Sequence, residues 1–248
     1  MKAMILAAGL GNRMRPLTDH TPKPLLCAGG KPLIEYHLHN LRRAGISEVI
    51  INLAYLGEKI RAHLGDGQRF GLSIIYSSEP EPLETGGALL RALDLLGTDT
   101  FLLINGDVWC DLDFAHFIRQ PFVENNVTEN QLGHLLLVSN PAFHPYGDFA
   151  LAGNGRLIDD PEKIHPQRFT FGGISLLKPE IIANYPDKRL KFPLVEVLRR
   201  AITHQQLTGE IHSGHWSDVG TPARLQELDN YLLHTQRTSA SKTPNQNY

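Results

Sequence analysis

The segment Leu6–Leu25, LAAGLGNRMRPLTDHTPKPL, carries more information about the fold than any other stretch of the chain. It follows the apolar run Lys2–Ala7, opens with glycines, and holds prolines where a helix would need backbone amides. Residues 1–31 contain five Lys or Arg side chains and one acid, Asp19, although the whole chain has a formal net charge of −2. A local excess of positive charge beside a glycine turn suits a polyanion such as a nucleoside triphosphate.

The glycine pair of this segment, Gly9 and Gly11, permits three interpretations. A dinucleotide-binding turn is disfavoured, because Met14 stands at the place of the third glycine and Pro16 would interrupt the helix that should follow. A P-loop is disfavoured, because the Gly-Lys pair at 30–31 is followed by proline and not by Ser or Thr. A solvated surface turn stays open beside a loop whose amides cradle phosphates.

Apolar runs alternate with amphipathic segments through the first half, which predicts an α/β fold with a mostly parallel sheet and helices on both faces. The strands predicted there are Lys2–Ala7, Glu48–Leu53, Leu72–Tyr76 and Thr100–Asn105, and the helices are Pro32–Ala44, Leu56–Leu64 and Ala88–Leu96. The less regular second half predicts strands His134–Val138 and Phe171–Leu177, a hairpin around residues 153–155, and helices near Pro179, at Pro193–His204 and at Thr221–His234. One domain, 1–234, is expected to precede a polar, disordered tail, 235–248.

Composition excludes several classes of protein. Near-neutral charge argues against nucleic acid as the main partner, and no apolar run reaches the roughly 20 residues that span a bilayer, so no membrane association is expected. The two cysteines, Cys27 and Cys110, lack metal or redox spacing and predict reduced thiols in a cytoplasmic protein. The oligomeric state is not determined by the sequence, which is compatible with a monomer.

Two aspartates are candidate metal ligands, and Asp107 stands where an open α/β sheet places its ligands. Asp107 follows the buried run Thr100–Asn105 directly, and Asp218 precedes a helix start at Thr221-Pro222. A pair of carboxylates suits Mg²⁺, which takes one or two of them together with phosphate oxygens and water. Ordinary turn residues are the alternative for both positions.

The motifs LAAGLGNRMRPLT, PKPL, ETGGALL, NGDVWCD and WSDVGTP, in this order from Met1 to about Leu233, resemble those of the sugar-1-phosphate nucleotidyltransferases. Within that family they are most similar to the short uridylyltransferases of peptidoglycan recycling. The resemblance implies a Rossmann-like three-layer α/β/α nucleotidyltransferase fold with a mostly parallel mixed sheet. It also implies UTP and a sugar 1-phosphate as binding partners and Mg²⁺ as cofactor.

The same resemblance implies a role for individual residues. Arg13 and Lys23 would be the catalytic cations, with Lys23 beside the α-phosphate. The nucleotide would be held by Leu6, Ala7, Ala8, Gly9, Gly11, Arg13 and Lys23, and its base would be read by Glu81 and Gly86. The sugar side would be lined by Asn105, Asn140, Asp148 and Gly173, and the metal would be bound by Asp107 and Asp218.

Two alternatives remain at this stage. One is another enzyme of the family, acting on mannose or glucose 1-phosphate, and the other is a non-catalytic subunit that binds a nucleotide sugar. The Glu-Glu-Lys-Pro signature of longer family members is missing, and only Glu162-Lys163 stands near its place.

Overall fold

The computed structural model describes residues 1–119, 130–160, 162, 165 and 167–240. The first half holds β1 (Ala3–Leu6), β2 (Cys27–Ala28), β3 (Lys31–Pro32), α1 (Leu33–Arg43), β4 (Glu48–Leu53), α2 (Gly57–Leu64), β5 (Ser73–Ser78), α3 (Glu84–Arg91), α4 (Leu93–Leu96), β6 (Phe101–Asn105), β7 (Val108–Cys110) and α5 (Phe114–Phe117). The second half holds β8 (Gly133–Val138), β9 (Phe149–Leu151), β10 (Leu157–Ile158), β11 (Arg168–Leu177), α6 (Glu180–Ala183), α7 (Leu194–Thr203), β12 (Leu207–His212), β13 (Trp216–Asp218) and α8 (Pro222–Ala240).

Nine strands of the described residues form one mixed sheet, which confirms the predicted fold class. The first-half strands β6, β1, β4 and β5 are parallel neighbours, and β12 runs parallel to β8. The strand β11 is antiparallel to β6, β8 and β9. Loops that follow the parallel strands therefore meet at one edge of the sheet, where open α/β sheets bind ligands.

The long strand β11 has two different neighbours on one of its sides. Its end, from Ile174 to Leu177, pairs with β6, whereas its start at Arg168 and Phe169 pairs with β9. The register against β8 shifts between Phe171 and Ser175, and Gly173 within this interval has a φ of 76°. Such a bulge bends a strand, so the β9–β10 hairpin diverges from β6 and leaves a gap beside β11.

Side chains that alternate along each central strand build a core on both faces of the sheet. Ala3 and Ile5 of β1 pack with α1, α2 and α5 on one face, while Met4 packs with α3, α4, α6 and α7 on the other. The two-residue period follows from strand geometry. It produces the three layers that the sequence predicts.

A third cluster joins the end of the chain to its beginning. Leu228 and Leu232 of α8 pack with Trp109 of β7 and with Met14, which lies in a 3₁₀ turn just after the glycines. The ring of Trp109 meets Tyr231 edge-on at 5.8 Å. Helix α8 thereby supports the segment that carries the excess positive charge.

Several elements differ from the sequence prediction: the helix predicted at Ala88–Leu96 is divided into α3 and α4, and the short strands β7 and β13 were not predicted. Helix α3 begins at Glu84, four residues before the predicted start, because Gly86 and Gly87 do not interrupt it. Their amides donate to the carbonyl of Phe192 at 2.9 and 3.1 Å, so the two glycines serve a close contact between chain segments. Strand β12 was not predicted, since its sequence LTGEIH is polar with an internal glycine, which lowers strand propensity.

Helix α8 extends through Ala240, six residues into the predicted disordered tail. Thr235 donates its hydroxyl proton to the carbonyl of Tyr231, and Gln236 donates to the carbonyl of Gly29 at 3.1 Å, so this part of the tail is hydrogen-bonded to the domain. Residues 241–248 lie outside the described residues. In the part of the chain that is described, Cys27 and Cys110 are free thiols and no helix combines the length and apolarity that a bilayer crossing requires.

Candidate active site

Three neighbouring strands end at the same level. Leu6 of β1 lies in register with Asn52 of β4 on one side and with Asn105 of β6 on the other. The amide of Gly106 donates to the carbonyl of Leu6 at 2.9 Å, and a Cβ at Gly106 would lie 2.6 Å from that oxygen. Only glycine lets the chain turn this tightly after β6.

A cleft of about 230 Å³ opens above these strand ends, and we call it the first cleft. It is lined by Leu6, Ala7, Ala8, Gly9, Lys23, Pro24, Asn52, Glu79, Pro82, Glu84, Thr85, Asn105, Gly106 and Asp107. Most of the residues expected to hold the nucleotide and its phosphates are in this set. Residues predicted from separate sequence motifs therefore line one cleft.

Lys23 and Asp107 form an ion pair in the first cleft. The ammonium Nζ lies 2.6 Å from Asp107 Oδ2, and the lysine side chain is only 11% exposed. Lys23 starts a 3₁₀ turn between Pro22 and Pro24, whose fixed φ angles stiffen this exit from the glycine segment. A cation held beside a carboxylate at the carboxyl edge of the sheet is positioned to contact bound phosphate.

Pairing of β7 with β13 brings Asp218 to the neighbourhood of Asp107. Asp218 lies in register with Val108, and the amide of Val219 donates to the carbonyl of Asp107 at 2.9 Å. The Asp218 carboxylate accepts a hydrogen bond from Arg224 Nη1 at 2.8 Å. The ribbon of β7 and β13 therefore brings together the backbones of Asp107 and Asp218, which are 111 positions apart in the chain.

This donor set fits a hard cation with few protein ligands. The described residues contain no group of three or more His, Cys, Asp or Glu side chains that could enclose a metal. Two carboxylates are what Mg²⁺ takes when substrate phosphates and water complete its coordination. The residues present are thus compatible with Mg²⁺ and a bound nucleotide.

Two buried polar residues that the sequence analysis did not single out hold the first cleft in shape. Asn52 accepts from the amide of Ala7 at 2.7 Å and donates to Glu79 Oε1 at 2.7 Å. Glu79 Oε2 accepts from the amide of Leu83 at 3.0 Å, just before α3. The sequence did offer a signal for Asn52. It is a polar residue near the end of the buried run EVIINL, just as Asn105 is the polar residue that ends β6.

A second cleft, of about 240 Å³, shares Thr85 and Asn105 with the first. Its other lining residues are Asp148, Phe149, Phe171, Pro193, Leu194, Val195 and Leu198. Asp148 is fixed by the amide of Phe171, which donates to Oδ2 at 2.8 Å. The second cleft fills the gap that the bend of β11 leaves between β6 and β9.

Asn140 and Gly173 border this region without lining the second cleft. The Asn140 amide donates to the carbonyl of Arg168 at 3.0 Å and accepts from the Thr170 hydroxyl at 3.0 Å, which ties the loop to β11. A Cβ at Gly173 would lie 2.9 Å from Asn105 Nδ2, so glycine allows β11 to approach Asn105.

Five other predicted residues line neither cleft, and one of them is Asp218 of β13. Arg13 is exposed on the 3₁₀ turn, and Gly11 is held by the Thr18 hydroxyl, which donates to its carbonyl at 2.8 Å. Glu81 is exposed, whereas Glu79 and Glu84 reach the first cleft, and Gly86 is buried against Phe192. The predicted roles of these residues stay predictions, and Lys163 lies outside the described residues.

A buried histidine lies below the ribbon. Burial lowers the pKa of His37, on α1, to about 4, although the Val108 carbonyl and the negative charge of Asp107 act in the opposite direction. Within the described structure its Nε2 has no hydrogen-bond partner. The imidazole is therefore neutral at neutral pH and adds no charge to the first cleft.

Known proteins resemble this chain over most of its length. The profile of the nucleotidyl transferase family matches residues 2–235. The N-acetylmuramate alpha-1-phosphate uridylyltransferase of Neisseria meningitidis serogroup B is 45% identical over 92% of this chain and 96% of its own length. The protein of the same name from Caulobacter vibrioides is 33% identical over 89% of this chain and 92% of its own.

A solved structure gives the same fold. A Bacillus anthracis protein assigned as a glucose-1-phosphate thymidylyltransferase, crystallised with sucrose, superposes with a TM-score of 0.81 at 24% identity, covering 94% of this chain and 95% of its own. The family profile spans nearly all of the described domain and both sequence relatives exceed 30% identity, so the chain belongs to the nucleotidyl transferase family.

Proposed function

We propose that the chain transfers the uridylyl group of UTP to N-acetylmuramate α-1-phosphate, forming UDP-N-acetylmuramate and pyrophosphate. The observation that carries the reaction type is the contact between two clefts, which share Thr85 and Asn105 beside the Lys23–Asp107 pair. Two adjacent spaces suit two substrates that must react with each other. The choice of sugar and base is supported by the 45% identity to the Neisseria enzyme.

The nucleotide is assigned to the first cleft and the sugar phosphate to the second. Backbone amides of the glycine turn and the Lys23 ammonium favour phosphates in the first. The second offers Asp148 as a hydrogen-bond acceptor for sugar hydroxyls, among the apolar side chains of Phe149, Phe171 and Leu198. A lining that combines one carboxylate with apolar side chains suits an amino sugar with acetyl and lactyl methyl groups.

The reaction needs no general base. A sugar phosphate with a second pKa of about 6 is already mostly a dianion at pH 7. Its oxygen attacks the α-phosphorus of UTP in line, the bond from that phosphorus to the bridging oxygen breaks, and pyrophosphate leaves. Because both reactants are anions, the main tasks of the protein are to neutralise charge and to align them. We assign the first task, charge neutralisation, to Lys23 and Arg13.

Asp107 and Asp218 are the residues that would hold Mg²⁺, in a family that uses divalent ions. When bound, the ion neutralises charge on the phosphate oxygens. In the structure each carboxylate already faces a cation, Lys23 for Asp107 and Arg224 for Asp218. Both carboxylates are thus held in place by a neighbouring cation.

The experiment is a substrate panel. Four nucleoside triphosphates are combined with the 1-phosphates of N-acetylmuramate, N-acetylglucosamine, glucose and mannose, and pyrophosphate release is measured. We expect the highest kcat/KM with UTP and N-acetylmuramate α-1-phosphate. A higher value with glucose or mannose 1-phosphate would assign the enzyme to another branch of the family, and binding of UDP-sugar without any pyrophosphate release would indicate a non-catalytic subunit.

The metal assignment has its own test. Asp107→Asn is expected to abolish turnover with the fold retained, because the isosteric amide cannot replace a charged ligand. Asp111→Asn is the matched control, since Asp111 follows β7 as directly as Asp107 precedes it but pairs with His212 at 2.8 Å. Near-wild-type turnover of Asp107→Asn in Mg²⁺ would contradict the assignment.

A further inference from the structure

Arg224 lies between two parts of the candidate site. It is in the first turns of α8, and its side chain is only 13% exposed. Nη1 donates to Asp218 Oδ2 at 2.8 Å, which leaves the other carboxylate oxygen, Oδ1, outside this hydrogen bond. A Cβ at Gly220 would overlap the guanidinium, so glycine at this position makes the slot in which Arg224 lies.

The same guanidinium contacts the loop that leads to the second cleft. Arg224 Cζ lies 4.0 Å from the ring centroid of Phe143, a distance typical of a cation–π contact. Phe143 is 53% exposed, which is unusual for a ring of its size. It belongs to the loop 139–148, which ends at Asp148 in the second cleft.

We propose that Arg224 is a positioning residue that couples the two clefts. Its hydrogen bond fixes the plane of the Asp218 carboxylate for the metal, and its face holds Phe143 and so orders the 139–148 loop for the sugar phosphate. This inference rests on the proposed function, because it takes Asp218 as a metal ligand and the second cleft as the sugar site.

The physical basis is different for the two contacts. A charge-assisted hydrogen bond orients a ligating carboxylate, and loss of such a partner typically costs about 10–100-fold in metal affinity. The contact with Phe143 depends on a planar cation, which an ammonium does not provide in the same way. Substitutions can therefore separate the hydrogen bond to Asp218 from the contact with Phe143.

The test measures Mn²⁺ binding by electron paramagnetic resonance in the presence of UTP, and separately the KM for the sugar phosphate. Arg224→Met is expected to weaken Mn²⁺ binding about tenfold and to raise the KM about threefold. Arg224→Lys keeps the charge, so Mn²⁺ binding stays within about threefold of wild type while the KM still rises. Phe143→Leu raises the KM about threefold and leaves Mn²⁺ binding unchanged.

Controls separate this proposal from the one on which it rests. Arg61→Met removes a comparable contact, between Arg61 and the Tyr76 ring at 4.5 Å, and is expected to change neither quantity. Asp218→Asn is expected to weaken Mn²⁺ binding, and if it does not, the metal assignment itself fails. If Asp218→Asn weakens Mn²⁺ binding but Arg224→Met does not, or if all three Arg224 and Phe143 variants lower only the melting temperature, the positioning role of Arg224 is wrong.

Discussion

Lys23 is the residue on which the proposed chemistry depends most directly. Its ammonium is nearly buried and faces Asp107, so it is held in place before any phosphate arrives. We expect Lys23→Ala to reduce the chemical step by roughly 100-fold or more, the cost of removing one preorganised charge-stabilising group. Nucleotide binding should fall less, because the amides of the glycine turn remain.

Single-turnover kinetics with saturating UTP separate these two effects. Lys31→Ala is the matched control, because Lys31 belongs to the same basic segment but lies over the Tyr36 ring, 5.0 Å from its centroid. A normal single-turnover rate for Lys23→Ala would remove this lysine from the catalytic step.

Gly106 tests the tight turn after β6. An added Cβ would lie 2.6 Å from the backbone carbonyl of Leu6, which cannot move without disturbing β1. Gly106→Ala is therefore expected to lower the free energy of unfolding by about 1–3 kcal/mol, as measured by urea denaturation. Gly153→Ala is the control, because no atom lies within 4 Å of its Cβ position, and its change should stay within about 0.5 kcal/mol.

His37 predicts an acid-dependent loss of stability. Its pKa is about 4 in the folded chain and near 6.5 when unfolded, so the unfolded state binds more protons between these values and stability decreases as the pH falls from 6.5 towards 4. Above pH 6.5 this contribution is constant. We expect wild type to lose about 3 kcal/mol more than His37→Leu between pH 7 and pH 4 in urea titrations. Parallel pH profiles of the two proteins would contradict this.

At the scale of elements, the ends of β4 and β5 are connected through side chains. Asn52 bridges the amide of Ala7 and the carboxylate of Glu79, and both it and Glu79 are buried. Asn52→Leu would leave a buried amide and a buried carboxylate without this partner, so we expect a loss of about 3 kcal/mol in the free energy of unfolding. The KM for UTP should rise too, because Ala7 lines the first cleft. Unchanged stability and an unchanged KM would refute the bridging role.

Elements were predictable where their hydrophobic period is clear. The strands β1, β4 and β6 alternate between two cores, and their order along the chain implies the edge at which Asn105 and Asp107 lie. The entrance to α3 was not predictable in the same way. The run SEPEPLE offers Glu79, Glu81 and Glu84, and which of them faces the first cleft depends on turns such as the left-handed φ of 61° at Glu84.

At the scale of the whole molecule, α8 connects the last part of the domain to the first. Leu228 is 1% exposed and packs in the cluster that includes Met14, below the glycine turn. Leu228→Ala is expected to cost about 2–5 kcal/mol in the free energy of unfolding and to weaken UTP binding. Leu233→Ala, on the same helix but 37% exposed, is the control and should change both little. Equal effects of the two substitutions would show that α8 does not support the glycine turn.

The contacts between α8 and the rest of the site could not be predicted from the sequence. Asp218 stands out in the motif WSDVGTP and pairs with Arg224, six residues later, but the contact of Arg224 with Phe143 joins this segment to a distant loop. Such contacts depend on the crossing of α8 over the ribbon of β7 and β13, and no local pattern encodes that crossing. The fold prediction is confirmed, and the assigned roles of the site residues remain to be tested by the substitutions above.

The pairing of β11 with two different strands along one edge has a consequence for the evolution of this domain. Successive stretches of one strand edge support β6, below the first cleft, and the β9–β10 hairpin, beside the second. Under the proposed reaction, substitutions or insertions in the hairpin would alter the acceptor sugar while the donor nucleotide site is inherited intact. A chimera that receives the hairpin and the 139–148 loop of a relative with another sugar preference should then change its acceptor and keep UTP.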